Sequence, residues 1–138
     1  MKEQRILGID FGTKRIGIAM SDPTGVIASP FRTVERTRVE EELQVIIQQY
    51  AIKAIVIGHP LRTDGTRGDR AVEVEDFAYR IEQRLKVSVV LWDERFSTQA
   101  AERAMHAVEE KPSRNKEKVD RIAAAIMLQS YLDAKEWL

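Results

Sequence analysis

Hydrophobic periodicity along this chain begins as short apolar runs and then alternates between helical spacing and further short runs, and that order limits the possible folds. Ile6 to Phe11 and Ile16 to Met20 are apolar runs separated only by Gly12-Thr13-Lys14-Arg15. A third stretch, Val26 to Val34, follows the turn Ser21-Asp22-Pro23-Thr24-Gly25. Connections this short hold no crossover helix, so the three runs predict an antiparallel meander. Pro30 interrupts the third strand and predicts an edge or a bulge there.

Helical spacing begins after the meander. Thr37 and Glu40 stand at capping-box spacing, and Leu43, Ile46, Ile47 and Tyr50 share one helical face. Ala54 to Ile57 is a short β-rich run ended by Gly58, and a Gly-rich loop leads to a second amphipathic pattern at Val74, Phe77, Ala78, Ile81 and Leu85. Val87 to Trp92 reads as a further strand. Ser97 or Thr98 could cap a third helix carrying Ala101, Ala104, Met105 and Val108. Pro112, Ser113 and Asn115 punctuate the break before a last helix, with Val119, Ile122, Ala123, Ile126 and Tyr131 expected along its buried side. The order β-β-β-α-β-α-β-α-α implies an α/β fold: one five-stranded mixed sheet with helices on both faces.

A length of 138 residues predicts a single domain, residues 1–138. The chain has no cysteine, which excludes a disulfide framework, zinc-thiolate ligation and thiol nucleophiles. No apolar run reaches membrane-spanning length, and Met1 to Arg5 leads into a strand without the apolar core of a signal peptide, so a cytoplasmic location and no membrane partner are expected. The formal net charge of +0 gives no global attraction to nucleic acid, so any such binding must rest on local patches.

Acidic residues stand where elements end or begin. Asp10 closes the run Ile6 to Ile9, Glu94 follows Val87 to Trp92, and Asp120 falls in the early turns of the last helix. Carboxylates at the ends of buried elements are costly unless a cation compensates them. Taken singly, each has an ordinary structural explanation: a hairpin-turn Asp, a surface ion pair between Glu94 and Arg95, and an acid favoured by the helix dipole at Asp120. Asp93 and Glu94 are consecutive at a strand end and should point to opposite faces, so one of them, Glu94 in preference to Asp93, should reach a cleft. Basic residues occupy two loops, with Arg62, Arg67 and Arg70 in one and Lys111, Arg114, Lys116 and Lys118 in the other, where they could hold phosphates. His59 is expected to be a hydrogen-bonded structural histidine, and His106 an ordinary surface residue; Trp137 is too isolated to interpret.

Four segments together are more specific. Asp10-Phe11-Gly12-Thr13-Lys14-Arg15-Ile16-Gly17, Gly58 to Thr66, Asp93-Glu94-Arg95-Phe96-Ser97-Thr98 and Asn115-Lys116-Glu117-Lys118-Val119-Asp120 resemble the YqgF (RuvX) family of bacterial Holliday-junction-resolvase-like nucleases. The resemblance spans essentially the whole chain. It implies a three-layer RNase H-like fold, with Asp10, Glu94 and Asp120 as the metal-binding catalytic set. It further implies maturation of the 5′ end of precursor 16S ribosomal RNA, with junction resolution proposed for some members. Where the family often has Asn-Met, this chain has Arg62-Thr63, which puts the substrate contacts of that loop in question.

The expected chemistry is phosphodiester hydrolysis by water with Mg²⁺ or Mn²⁺, Asp10 bridging two ions about 3.5–4 Å apart and Glu94 and Asp120 each flanking one. Thr13, Lys14, Arg62, Arg95, Lys116 and Lys118 are the candidate substrate contacts. The partner would be precursor rRNA or branched DNA, bound by a monomer or a homodimer; resolution of a junction calls for two symmetric sites. Two other classes compete. Asp-x-Gly-Thr after a strand also resembles the first phosphate loop of actin-like ATPases, which should be strongly stabilised by ATP with Mg²⁺. A non-catalytic RNA-binding module should bind without cleaving and tolerate replacement of the acids.

Overall fold

The computed structural model describes residues 3–97 and 116–135. The expected third helix and its Ala101, Ala104, Met105 and Val108 lie outside the described residues, as do Thr98, His106, Lys111, Pro112, Ser113, Arg114, Asn115 and Trp137. The meander forms β1 (Arg5–Phe11), β2 (Arg15–Ser21) and β3 (Ala28–Glu35). Alternation follows with α1 (Val39–Gln49), β4 (Ile52–His59), α2 (Asp69–Leu85) and β5 (Ser88–Asp93), and the last described element is α3 (Lys116–Lys135).

The five strands make one mixed sheet in the order β3-β2-β1-β4-β5. β1–β2 and β2–β3 are antiparallel, as three- and six-residue connections require, whereas β1–β4 and β4–β5 are parallel across helical crossovers. Pro30 lies on the edge strand, as expected, and beside an irregularity: Ala19 pairs with Pro30 but Ile18 with Arg32, so Phe31 is the extra residue. Its ring turns onto Tyr50 edge-on, with centroids 5.8 Å apart.

Strand alternation sends successive side chains to opposite faces of the sheet. Leu7, Ile9, Phe11, Ile55 and Ile57 enter the larger core with Leu43 and Ile46 of α1 and Val74, Phe77 and Ile81 of α2. Ile6, Ala19 and Val56 face the other way and meet Ala124, Ala125, Met127, Leu128 and Leu132 of α3. Helices therefore cover both faces.

Three local expectations are corrected. The Thr37–Glu40 capping box does not form: residues 36–38 make a 3₁₀ turn, α1 starts at Val39, and Arg38 at its N-cap makes no side-chain cap bond. Glu40, Glu41 and Glu42 in the first turn meet the helix dipole instead. The last helix includes Lys116 and Lys118, although cations in a first turn oppose the dipole; the buried ladder outweighs a local term of about 0.3–1 kcal/mol. Its buried stripe also runs through Ala124, Ala125, Leu128 and Leu132 rather than Val119, Ile122, Ala123 and Ile126, which are half-buried. Apolar residues cover most of this helix, so spacing alone leaves its rotation open, and the small alanines select the face that can come closest to the sheet.

That close approach depends on Gly17. A Cβ placed there would lie 1.9 Å from the carbonyl oxygen of Asp120, an impossible contact with backbone. Gly17→Ala must push α3 off β2. We expect a loss of about 1–3 kcal/mol, the usual cost of overpacking, read as a lower urea midpoint with an unchanged denaturant slope.

Candidate active site

The carboxyl ends of β1, β4 and β5 lie side by side, and Asp10 sits among them with a glycine on each flank. Gly17 of β2 is its Cα partner on one side. On the other, Ile9 pairs with Ile57, which puts Gly58 next to Asp10 in the parallel register. Asp10, Gly17 and Gly58 all face α3, because Gly8, Ala19 and Val56, two residues away on each strand, do so. The two glycines leave open floor on either side of Asp10. Asp120 lies above one of them, with its backbone oxygen over Gly17, and Glu94 above the other, since a Cβ on Gly58 would meet Glu94 Oε1 at 2.5 Å.

Glu94 starts the single 3₁₀ turn Glu94–Phe96 that ends β5. Its neighbour Asp93 points away and takes Arg95 as a partner, with Arg95 Nη2 2.6 Å from Asp93 Oδ2 and the Arg95 amide donating to Oδ1 at 2.9 Å. Glu94 is thus the acid that reaches the cleft, as alternation predicts, and the ion pair expected between Glu94 and Arg95 belongs to Asp93. The carboxyls of Asp10 and Glu94 share a hydrogen bond. Burial, with the charge of Asp10 next, pushes Glu94 up to about 7, so as pH falls through neutrality Glu94 takes up a proton that it can donate to Asp10. Asp10 is itself raised, chiefly by burial and further by Asp120, while its bond to Glu94 and the charge of Arg70 oppose the rise.

Asp120 shares the face but not the contact. Its Oδ2 accepts from Arg15 Nε at 2.8 Å, across the β1–β2 hairpin. Among the described residues, no three metal-type side chains are close enough to hold one cation. The structure therefore brings Asp10 and Glu94 together and holds Asp120 near them on an arginine.

The basic rim is mostly pinned. Arg62 is exposed and lies against Gly68, with its backbone closing the loop through Thr66 and Gly65. Arg67 is turned away to Glu75, which also takes His59 Nε2 at 2.7 Å, so His59 has the structural bond expected of it. Glu75 is held down at about 2, first by Arg67 and then by His59 against the effect of burial. Arg95 reaches the carbonyl of Thr63 at 3.4 Å in addition to Asp93. Thr13, Lys14, Lys116 and Lys118 are exposed, on the hairpin turn and on the first turn of α3. Arg70 has a role beyond that of a loop cation. From the first turn of α2 its Nη2 donates to the carbonyl of Phe11 at 3.0 Å, and its charge favours the ionised forms of Asp10 and Glu94. The signal for it was weak: an arginine just inside a helix that starts beside the carboxyl end of β1.

The family model described as RuvX, Holliday junction resolvase, matches residues 4–134. Curated relatives carry the name "Putative pre-16S rRNA nuclease". One from Syntrophomonas wolfei is 42% identical over 132 residues, covering 94% of both chains. Another from Geobacillus thermodenitrificans is 43% identical over 136 residues, covering 95% of this chain and 99% of its own. Among solved structures, Thermus thermophilus RuvC in complex with a Holliday junction substrate superposes with a TM-score of 0.60 at 12% identity, covering 96% of each chain. That likeness establishes the RNase H-like fold.

Because Glu94 binds its proton more tightly folded than unfolded, the metal-free protein gains stability as pH falls from 8 through about 7 toward the ordinary value of 4.5. The gain should be on the order of 2 kcal/mol between pH 8 and 5.5 in EDTA, measured by urea unfolding. Glu94→Gln should flatten that dependence. Gly58→Ala, whose nearest neighbours would all be side-chain atoms of Glu94, should keep the fold but displace the Glu94 carboxyl and weaken Mn²⁺ binding.

Proposed function

The chain belongs to the RuvX family, and we propose that it is a divalent-metal-dependent endonuclease of structured nucleic acid whose substrate is the 5′ region of precursor 16S rRNA. One observation carries this reading: two carboxyls, Asp10 and Glu94, are pressed together on a glycine floor at the carboxyl ends of parallel strands, with the backbone of a third acid, Asp120, over the adjoining glycine. A pair of acids in mutual contact must either share a proton or take a cation between them, and a divalent ion is the partner that serves when both are ionised.

The donor set fits a hard cation. The oxygens of Asp10 and Glu94 are the ligands Mg²⁺ and Mn²⁺ prefer, and a chain without cysteine offers no thiolate to favour a softer metal. Asp10 and Glu94 would hold the ion, and Asp120 would complete the set once free of Arg15. Bound there, such an ion supplies Lewis acidity and a water of lowered pKa for attack on phosphorus. Asp10, central on the floor, would fix where that ion sits. Arg70 tempers the negative potential that would otherwise repel the reacting phosphate. Thr13, Lys14 and Arg62, with Arg95, Lys116 and Lys118 farther along the rim, would position neighbouring phosphates without reading sequence.

Family membership supports hydrolysis over the ATPase-like and purely binding alternatives, and the rRNA terms in the relatives' names favour RNA over a branched DNA junction. A cytoplasmic site of action follows from that substrate; among the described residues no helix is long and apolar enough to cross a membrane.

The test offers the full chain a 5′-extended precursor 16S fragment and a four-way DNA junction, with Mg²⁺, Mn²⁺ or EDTA. Cleavage of the RNA, its loss in EDTA and a drop on the order of a hundredfold or more for folded Asp10→Asn are expected. Unchanged cutting by Asp10→Asn would refute the site, and preferential cutting of the junction would move the substrate to branched DNA.

A further inference from the structure

The pairing of Arg15 with Asp120 joins residues 105 positions apart, and it joins the wrong partners for a finished cation site. Both side chains are half-buried, at 33% and 24% exposure, so the bond is partly shielded from solvent. The backbone of Asp120 is fixed against Gly17, which leaves its carboxylate only side-chain rotation with which to choose between partners. Asp120 is close enough to Asp10 for its charge to be felt there. A third free anion beside Asp10 and Glu94 would be costly with no cation bound, and Arg15 relieves that cost.

The same guanidinium has a second possible anion. Arg15 follows Thr13 and Lys14, both exposed on the hairpin turn, at the edge where a nucleic-acid backbone would arrive. It bonds Asp120 through Nε, while its two terminal amino groups make no bond among the described residues. A phosphodiester presents an oxygen pair that a planar guanidinium grips in bidentate fashion.

We propose that Arg15 is a substrate-sensing latch: it holds Asp120 away from the cation site until a backbone phosphate takes the guanidinium, and the released Asp120 then completes the site. This deepens the nuclease reading and rests on it. Arg15 acts through Asp120 and is a positioning residue. Because binding free energies are reciprocal, metal and nucleic acid should each tighten the other's binding. If Arg15 instead merely aimed Asp120 at the metal, its removal would weaken metal binding. The sign of the effect separates the two roles.

The experiment is a Mn²⁺ titration of the full chain without nucleic acid, following free Mn²⁺ by electron paramagnetic resonance. Arg15→Met and Arg15→Gln should bind about tenfold more tightly than wild type, the equivalent of breaking one partly shielded ion pair. Asp120→Asn should erase that gain in the Arg15→Met background. Equal or weaker Mn²⁺ binding by both Arg15 variants overturns the latch. A second measurement needs no Arg15 variant. A dye-labelled RNA hairpin should bind wild type about tenfold more tightly in Ca²⁺ than in EDTA, and Asp120→Asn, which frees the guanidinium, should bind it in EDTA about as tightly as wild type does in Ca²⁺; an EDTA affinity unchanged from wild type also overturns the latch. If neither wild type nor Arg15→Met binds Mn²⁺, the metal-nuclease reading falls with it, whereas metal-dependent cleavage with equal Mn²⁺ affinities sinks only the latch.

Discussion

The carbonyl of Asp120 rests directly on Gly17, and much of the candidate site follows from that contact. A helix crossing a sheet normally stands off by the thickness of two side-chain layers, about 10 Å between axis and sheet. Here a missing side chain on β2 lets the N-terminal half of α3 settle onto the strand beside Asp10. The rest of α3 is then tied down at both margins. Gln129 takes the Ala28 amide at 2.8 Å on the β3 side, and Ser130 accepts from Trp92 Nε1 at 3.2 Å on the β5 side. Asp120 therefore reaches the site with its backbone held on Gly17 and its carboxylate held by Arg15.

Electrostatics follows from this packing. Burial, more than any single neighbour, raises Asp10 and Glu94, so the pair relieves its crowded charge by taking up a proton as pH falls through neutrality. Arg70 and Arg15 offset it differently: Arg70 is anchored to a backbone carbonyl and acts at a distance, whereas Arg15 contacts one acid directly. The other arginines near the cleft, at 67 and 95, are occupied with Glu75 and Asp93 and mainly brace the loop between β4 and α2.

The sheet was readable because its signals were redundant. Short turns dictated antiparallel neighbours, helical spacing dictated crossovers, and Pro30 marked the edge and its irregularity. Asp10 and Glu94 stood out because each follows an apolar run, although alternation said only that one of Asp93 and Glu94 would face the cleft. Contacts between distant segments were not. Lys14 and Arg15 were visible as nearby positive charge, but nothing local ties Arg15 to Asp120. Gly17 and Gly58 looked like ordinary punctuation until the third dimension showed what lies above them. The rotation of α3 was ambiguous because its apolar surface is broad, and the capping box at Thr37 gave way to a 3₁₀ turn with three glutamates behind it.

The irregular margin at Pro30 and Phe31 has a consequence for the protein in a crowded cell. A proline there supplies no amide hydrogen, and the local shift spoils the even spacing that a foreign strand would need in order to zip alongside. The meander can thus remain the outer boundary of the sheet at high concentration, with its ladder closed to templated, amyloid-like growth from that side.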